Sequence, residues 1–408
     1  MISPVGTGRK RLYIVIATFL ALWASVLVAL NLTVIPDTYW YSYYAIDYTV
    51  GFVRRGLAGE LVGLLPGDQF SQQRVGRWTS SIAFFIALAV LAWWIAAKSG
   101  RSERRLQVAL LIVVLPFGFA FGLLQAGATL YGGTALIFFG LAVRRAKSAR
   151  SVLTASAVFG IATGVLVLIH EAIPLLFGLG VIAVLAVLAN QLERKQLWAG
   201  YALALGPGIA TALIVAAFGR HGVADELCAL IPHAQANNPL KGKPTLGQLL
   251  HGFRYYDDYH DWACRNITPF YNRSLMDGIR YVGRLGVAGM LVNTVYGIGV
   301  LAISILAIAR VSGVPPKRMW TLLRQQWFAV AIGFAMTLPV FMTGVDWVRW
   351  WVSISLDIGL VFLLYASTQP EIDAPTTSRS TRDFIVAVIA LALIPVGIVP
   401  AFMAPLPI

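Results

Sequence analysis

Acidic and basic side chains stand close together at several points of this sequence. In the segment from Tyr39 to Glu60, Asp47 precedes the adjacent pair Arg54 and Arg55. Guanidinium groups match phosphate oxygens bidentately, and a carboxylate can remove the proton of an attacking hydroxyl. We interpret Asp47 as a catalytic carboxylate and the two arginines as a binding site for phosphate or pyrophosphate. The alternative is an interfacial helix whose aromatic residues lie at headgroup depth while the arginines contact lipid phosphate.

Two further pairs of charged or titratable residues stand at breaks between apolar runs. His170 and Glu171 follow one such run, and Asp346 precedes Arg349 by three residues among several tryptophans. A second histidine one turn later, which a zinc protease needs, is missing after His170. We interpret His170 and Glu171 as catalytic candidates that orient a hydroxyl or an arginine. Asp346 and Arg349 are candidate substrate-binding residues, and Arg349 could serve the same anion as Arg54 and Arg55. The alternatives are a solvated helix end and an i,i+3 ion pair within an aromatic anchor.

Residues 219–287 form a long polar segment rich in Tyr, Trp, Asp and His, and Arg254 within it is a further candidate binding residue. This mixture is typical of surfaces that handle carbohydrate, although a solvated loop is the alternative. His260 and its neighbouring acids are able to bind a divalent cation, but their spacing is not diagnostic, so we assign no metal or other cofactor. Cys228 and Cys264 are the only cysteines, and in an oxidising compartment we expect them to form a disulfide.

The elements that must position these residues are membrane spans. The chain of 408 residues is 58% hydrophobic and 12% charged, with a mean hydropathy of +0.74, which is too apolar for a soluble core. We predict an all-α polytopic membrane protein with a single integral membrane domain over residues 1–408. About eleven spans are predicted, near residues 12–34, 79–97, 106–124, 128–143, 152–170, 173–190, 197–218, 288–309, 326–343, 351–367 and 384–403.

The positions of the basic residues predict how the chain is oriented. The net charge is +14, and most Lys and Arg occur at the N-terminus and in alternate connections, so the positive-inside rule places the N-terminus in the cytoplasm and the C-terminus outside. Short basic clusters of this kind are topology signals, which argues against a nucleic-acid partner. Residues 35–78, with an interfacial helix, and residues 219–287 then become two long outer loops. All the candidate residues share this outer face.

The layout resembles the GT-C superfamily of membrane glycosyltransferases, which includes bacterial polysaccharide polymerases. The resemblance rests on the many spans, the acid in the first outer loop and the large outer loop late in the chain. It implies that Asp47 is the catalytic base, with Asp37 as the nearest competitor. It also implies a lipid-linked saccharide as substrate, a bacterial cytoplasmic (inner) membrane as location, and other envelope-polysaccharide assembly proteins as partners. The first loop lacks an Asp-Asp or Asp-x-Asp signature, which leaves the class and any metal dependence open.

These features together predict glycosyl transfer from a polyprenyl-phosphate or polyprenyl-diphosphate sugar at the outer face. A transporter or flippase for an anionic lipid-linked substrate is the main alternative, since it would also gather arginines near a cavity. Alternating access usually requires polar or broken-helix sites near the bilayer midplane. Asp357 is the clear intramembrane charge, and Pro116, Pro207 and Pro339 are positions at which spans could be broken. A non-catalytic assembly subunit is the third possibility.

Overall fold

The computed structural model describes residues 7–33, 38, 41–98, 102–124, 127–238, 245, 247–248, 251, 255–394 and 401–402. Within these residues the chain is mainly helical. In chain order the α-helices are α1 Thr7–Thr33, α2 Gly56–Gly63, α3 Gln69–Trp93, α4 Glu103–Val114, α5 Phe119–Leu124, α6 Leu130–Arg145, α7 Ala149–Val167, α8 Ile173–Leu188, α9 Arg194–Phe218, α10 Ala224–Leu230, α11 Tyr259–Asn266, α12 Leu275–Gly283, α13 Gly286–Ser312, α14 Pro316–Gln325, α15 Trp327–Thr343, α16 Trp347–Ala366 and α17 Ser378–Ala392. The strands are β1 Gln235–Asn237 and β2 Tyr256–Asp258, and 3₁₀ turns cover Ser42–Tyr44, Thr268–Asn272 and Pro370–Asp373.

Many of these helices suit a membrane. Within the described residues, seven helical stretches are long and apolar enough to cross a bilayer, and α14 with α15, bent by 92°, makes an eighth. Every predicted span coincides with one or two helices, but several are short: α8 has 16 residues, where a span needs about 20. The structure therefore supports a polytopic helical membrane protein. The count of eleven spans and the orientation remain predictions.

Local sequence explains where two helices differ from the predicted spans. The side chain of Asp68 accepts a hydrogen bond from the amide of Ser71 at 3.0 Å, which caps α3 and makes it begin at Gln69. The last ten residues of the predicted first loop, residues 35–78, are therefore helical and belong to α3. The predicted span 106–124 is broken into α4 and α5 around Pro116, which lacks the amide hydrogen that a continuous helix needs.

Helices α8 and α16 form the centre of the bundle. They pack against each other, α8 also contacts α6, α7, α9 and α15, and α16 also contacts α6 and α13. No residue of α8 is charged, and a helix that is apolar on all sides is buried rather than exposed. Asp357 on α16 is completely buried in this centre.

Two regions of short helices and turns meet at one end of the bundle, which we call the loop end: residues 41–68 and the described residues between 219 and 285. The amide of Arg220 donates to the carbonyl of Phe52 at 2.7 Å, and the rings of Tyr41 and Tyr259 meet edge to face at 6.2 Å. The all-α prediction is wrong in one detail, because β1 and β2 form a small antiparallel sheet within the second region. The loop end is thus a packed structure in which both regions share a small apolar core.

Ion pairs join several chain segments at the opposite end of the bundle. Arg105 donates two hydrogen bonds of 2.7 Å to the carboxylate of Asp373, and Arg318 lies 2.7 Å from Glu371. Arg9 pairs with Glu103 at the start of α4. These ion pairs bring the N-terminal segment together with three connections: the start of α4, the region of α14, and the segment between α16 and α17. The basic residues of the sequence predict that the same segments lie on one side of the membrane.

Candidate functional site

Arg54 and Arg55 lie in a tight turn that precedes α2. Arg55 has a φ of 64° and, among the described residues other than glycine, is alone in having a positive φ. The left-handed region costs an L-residue about 1 kcal/mol, so the surrounding contacts must hold Arg55 there.

The guanidinium of Arg55 binds the carboxylate of Glu171 in the turn between α7 and α8. Its Nε and Nη2 donate to the two carboxylate oxygens at 2.8 Å and 2.7 Å, and both side chains are 28% exposed. Arg54 approaches the same carboxylate at 3.7 Å and also donates to the carbonyl of Phe270. The sequence placed these residues at one face, and the structure shows that Glu171 lies between two arginines.

Charge and burial together set the protonation of this group. Burial raises the pKa of Glu171, but the charge and hydrogen bonds of Arg55 outweigh it, so the pKa lies well below its usual range. Burial lowers the pKa of His170 to about 3, and the charge of Arg55 acts in the same direction. His170 is therefore a neutral imidazole near neutral pH, and its Nδ1 accepts a hydrogen bond from the amide of Ala172 at 3.3 Å. Neither side chain is basic enough to be an efficient proton acceptor.

Tyr43 lies at the centre of the cluster. Its ring stacks on His170 with centroids 5.8 Å apart, and the guanidinium of Arg55 lies 5.8 Å from the ring centroid on its face. Its hydroxyl accepts a hydrogen bond of 3.2 Å from Arg349, which also pairs with Asp346 at 3.3 Å. Tyr43 therefore joins the segments that carry the candidate residues. We call Tyr43, Arg54, Arg55, His170, Glu171, Asp346 and Arg349 the arginine cluster.

Sequence reasoning missed the two tyrosines of this region. Tyr43 belongs to the run of aromatic residues that the sequence places at headgroup depth, and the ring centroid of Tyr271 lies 4.9 Å from the guanidinium of Arg54. The available signal was the proximity of Tyr43 to the arginine pair in sequence. No pattern in the sequence indicated Tyr271, because the long loop brings it to the site only after folding.

Asp47 has a different environment. Its carboxylate accepts a hydrogen bond of 2.9 Å from the amide of Thr49 and is partly exposed. Within the part of the chain that the structure describes, it forms no ion pair or hydrogen bond with Arg54, Arg55 or Glu171. The structure places Asp47 in the same short loop as the arginines but not in contact with them. Arg254 and Asp37, two other candidates, lie outside the described residues.

The comparison with known proteins places the chain in a family. Residues 13–392 match a family described as "Uncharacterised membrane protein Rv1490". The chain belongs to this Rv1490 family. It is 38% identical to the uncharacterized proteins Rv1490 of Mycobacterium tuberculosis and Mb1527 of Mycobacterium bovis, over 97% of this chain and 92% of each relative. No solved structure matches.

The region matched to the Rv1490 family contains the whole arginine cluster. The cluster holds three arginines, two carboxylates and a neutral imidazole, so its described groups leave an excess of one positive charge. Arg54 is the most exposed of the three arginines, at 33% against 28% for Arg55 and 5% for Arg349. The arrangement can therefore attract an anion from the loop end and present Arg54 to it.

Proposed function

We propose that this protein is a membrane glycosyltransferase or polysaccharide polymerase that acts at the outer face of the cytoplasmic membrane on polyprenyl-phosphate or polyprenyl-diphosphate sugars. The observation that carries the proposal is the arginine cluster, assembled from separate segments at the loop end, where apolar helices finish. A lipid-linked donor has its phosphate at this depth and its tail in the bilayer. Membership of the Rv1490 family supports the membrane setting and leaves the reaction open.

The contacts suggest a distinct role for each charged residue. Arg54 is the accessible guanidinium, so it contacts the donor phosphate. Glu171 fixes Arg55, and Tyr43 fixes Arg349, which makes Glu171 and Tyr43 positioning residues. The positive charge of the arginines stabilises the negative charge that develops on the leaving lipid phosphate.

Asp47 is the residue we assign as general base. Arg55 occupies both carboxylate oxygens of Glu171, and the imidazole of His170 is buried, whereas the carboxylate of Asp47 is partly exposed and accepts a hydrogen bond from the amide of Thr49. Asp47 accepts the proton of the acceptor hydroxyl while that oxygen forms a bond to the anomeric carbon. The bond between the anomeric carbon and the phosphate oxygen breaks, and the lipid phosphate leaves with the electron pair.

A transporter or flippase for an anionic lipid-linked substrate is the second candidate. The observation in its favour is Asp357, a fully buried carboxylate that forms no ion pair with any described residue. Ionisable groups at membrane depth are costly and often mark transport pathways. The bend of 92° between α14 and α15 is a second feature in its favour, because transporters often bind their substrates at broken helices.

The deciding experiment is to delete the gene in its host and to quantify polyprenyl-linked intermediates on each face of the membrane. Rescue is attempted with wild type, Asp47→Asn and Arg54→Ala. The matched controls are Asp225→Asn and Arg280→Ala, which change the same charges at exposed positions of the loop end. We expect outer-face intermediates to accumulate, and to be cleared by wild type and both controls but by neither test variant. Accumulation on the inner face would favour transport, and full rescue by Asp47→Asn would remove Asp47 as the base.

A further inference from the structure

A pair of histidines in the long loop is brought together by the small sheet. Gln235 pairs with Asp258 in the antiparallel register, and the amide of Tyr259 donates to the carbonyl of Ala234 at 2.8 Å. His233 lies two residues before β1, and His260 lies two residues after β2 in the first turn of α11. Their rings stack with centroids 4.0 Å apart. The pairing of β1 with β2 therefore brings the two histidines to the same place.

Two carboxylates complete the group. Nδ1 of His233 lies 2.9 Å from Asp258, and Nδ1 of His260 lies 3.3 Å from Asp261. Donor atoms of His233, His260 and Asp261 all lie within 4.8 Å of one another. Asp258 also accepts a hydrogen bond of 2.9 Å from the amide of His260, which caps α11. Two imidazoles and two carboxylates are thus gathered at one spot.

The backbone beneath these side chains is held firmly. A disulfide joins Cys228 to Cys264, the pair expected from the sequence, and Tyr259 beside His260 is fully buried. Nε2 of His260 lies 3.8 Å and 3.7 Å from the two sulfurs, so that edge of the ring faces the disulfide. The bonded sulfurs are not thiolates and supply no metal ligand. The Nδ1 edge of His260 is consequently the one that faces Asp261 and the other donors.

We propose that His233, His260 and Asp261 form a binding site for a divalent transition-metal ion such as Zn²⁺ or Cu²⁺, and that Asp258 orients the ring of His233 through its Nδ1. Imidazole nitrogen with carboxylate oxygen is a donor set that these ions accept, whereas Ca²⁺ and Mg²⁺ prefer oxygen alone. Bonds of about 2.0 to 2.2 Å require the donors to move closer together. His233 and Asp261 have room to do so, since their side chains are 68% and 63% exposed.

The site differs from the arginine cluster in position and in charge. It is built from residues beside the sheet and in α11, none of which belongs to the arginine cluster. It combines histidines with carboxylates and contains no arginine, whereas the cluster contains three arginines. A bound ion would link the strand before β1 to the first turn of α11. Its effect is therefore to stabilise the long loop, whatever reaction the arginine cluster performs.

Zinc binding to the full-length protein in nanodiscs tests the proposal directly. The protein carries no polyhistidine tag and keeps its disulfide, and titration calorimetry with ZnCl₂ compares wild type, His233→Ala and His260→Gln. His221→Ala is the matched control, because His221 is an exposed histidine in the same loop. Loss of one ligand should weaken binding by about tenfold or more, and the control should bind as wild type does. Absence of saturable binding in wild type, or equal affinity in all four proteins, would overturn the site.

Copper provides a second readout that does not depend on affinity. The electron paramagnetic resonance spectrum of the Cu²⁺-loaded protein should show splitting from two nitrogen ligands, reduced to one in each single variant. Melting temperatures measured without metal check that the variants remain folded. A spectrum unchanged by both substitutions would place the copper elsewhere and refute the assignment.

Discussion

Arg55 binds both carboxylate oxygens of Glu171 across 116 residues of sequence, at 2.8 Å and 2.7 Å. The pair ties the first loop to the turn between α7 and α8. It also holds the guanidinium of Arg55 near Tyr43, whose ring stacks on His170. The pair therefore links two separate segments of the chain at the arginine cluster.

Removing the charge of Glu171 should destabilise the protein. Glu171→Gln keeps the size of the side chain but leaves Arg55 without its anion, and we expect a loss of about 2 kcal/mol in the free energy of unfolding. Thermal melting of the detergent-solubilised protein measures it. Glu226→Gln is the control, since its pair with Arg220 is about half exposed and should contribute less than about 1 kcal/mol. Equal losses for the two substitutions would show that the pair of Arg55 with Glu171 stabilises the protein no more than an exposed ion pair does.

The backbone strain at Arg55 can be measured separately from its ion pair. Arg55→Ala and Arg55→Gly both remove the guanidinium, but only glycine adopts a φ of 64° without strain. We expect Arg55→Gly to be more stable than Arg55→Ala by about 1 kcal/mol. Identical melting temperatures would mean that the turn relaxes when the pair is lost.

Stability should fall on acidification because of His170. Burial keeps the imidazole neutral in the folded protein and lowers its pKa to about 3, whereas in the unfolded chain it takes up a proton near pH 6.5. The unfolded state therefore binds more protons below pH 6.5, and the stability that is present above this pH is lost as the pH falls toward 3. The loss between pH 6.5 and 4.5 should reach about 2 kcal/mol. This pH interval lies above the ordinary pKa of a glutamate, so Glu171 contributes little to the loss.

The comparison of His170→Gln with His221→Ala identifies the group responsible for this pH dependence. The first variant should flatten the profile of melting temperature between pH 6.5 and 4.5, and the second, at an exposed position, should leave it unchanged. A profile that keeps its slope in His170→Gln would assign the acid sensitivity to other groups.

The sequence predicted the helices better than it predicted the site. Apolar windows locate spans because a bilayer imposes a minimum length and hydrophobicity on each helix. The basic clusters predict which connections share a side, and Arg105 and Asp373 join two of these connections. Side-chain partners depend on how loops pack, which no local pattern encodes. Tyr43, for example, reaches Arg349 across 306 residues. Asp346 and Arg349 were predictable as a pair because an i,i+3 spacing on a helix is local.

The orientation of the chain is testable by cysteine labelling. Arg280→Cys places a reactive thiol at the loop end, and Ser378→Cys places one at the opposite end, both at exposed positions. The native cysteines are bonded and do not react. If the loop end faces outward, an impermeant maleimide should label Arg280→Cys in intact cells and Ser378→Cys only after permeabilisation. The reverse pattern would refute the orientation and with it the proposed outer-face reaction.

The disulfide should protect the long loop from proteolysis. It closes a loop with a sequence separation of 36 residues, and for that length the loss of chain entropy in the unfolded state corresponds to about 3 to 4 kcal/mol. The double variant Cys228→Ser, Cys264→Ser should therefore be cut faster by trypsin within residues 219–285, while the membrane helices stay intact. Dithiothreitol should have the same effect on wild type and none on the variant. Equal cutting of wild type and variant would show that the sheet and α11 hold the loop without it.

The contact between Gly180 and Asp357 should not tolerate even one methyl group. A Cβ on Gly180 of α8 would lie 2.6 Å from the Oδ1 of Asp357 and 2.5 Å from Leu136. Gly180→Ala should therefore cost about 1 to 3 kcal/mol, measured as unfolding in mixed micelles, because a packed core resists overfilling. The cost should be smaller in an Asp357→Ala background, where one of the two clashes is gone. Gly206→Ala is the control, since nothing lies within 4 Å of its Cβ and alanine favours a helix. A Gly180→Ala protein as stable as wild type would mean that α8 and α16 lie farther apart than this contact requires.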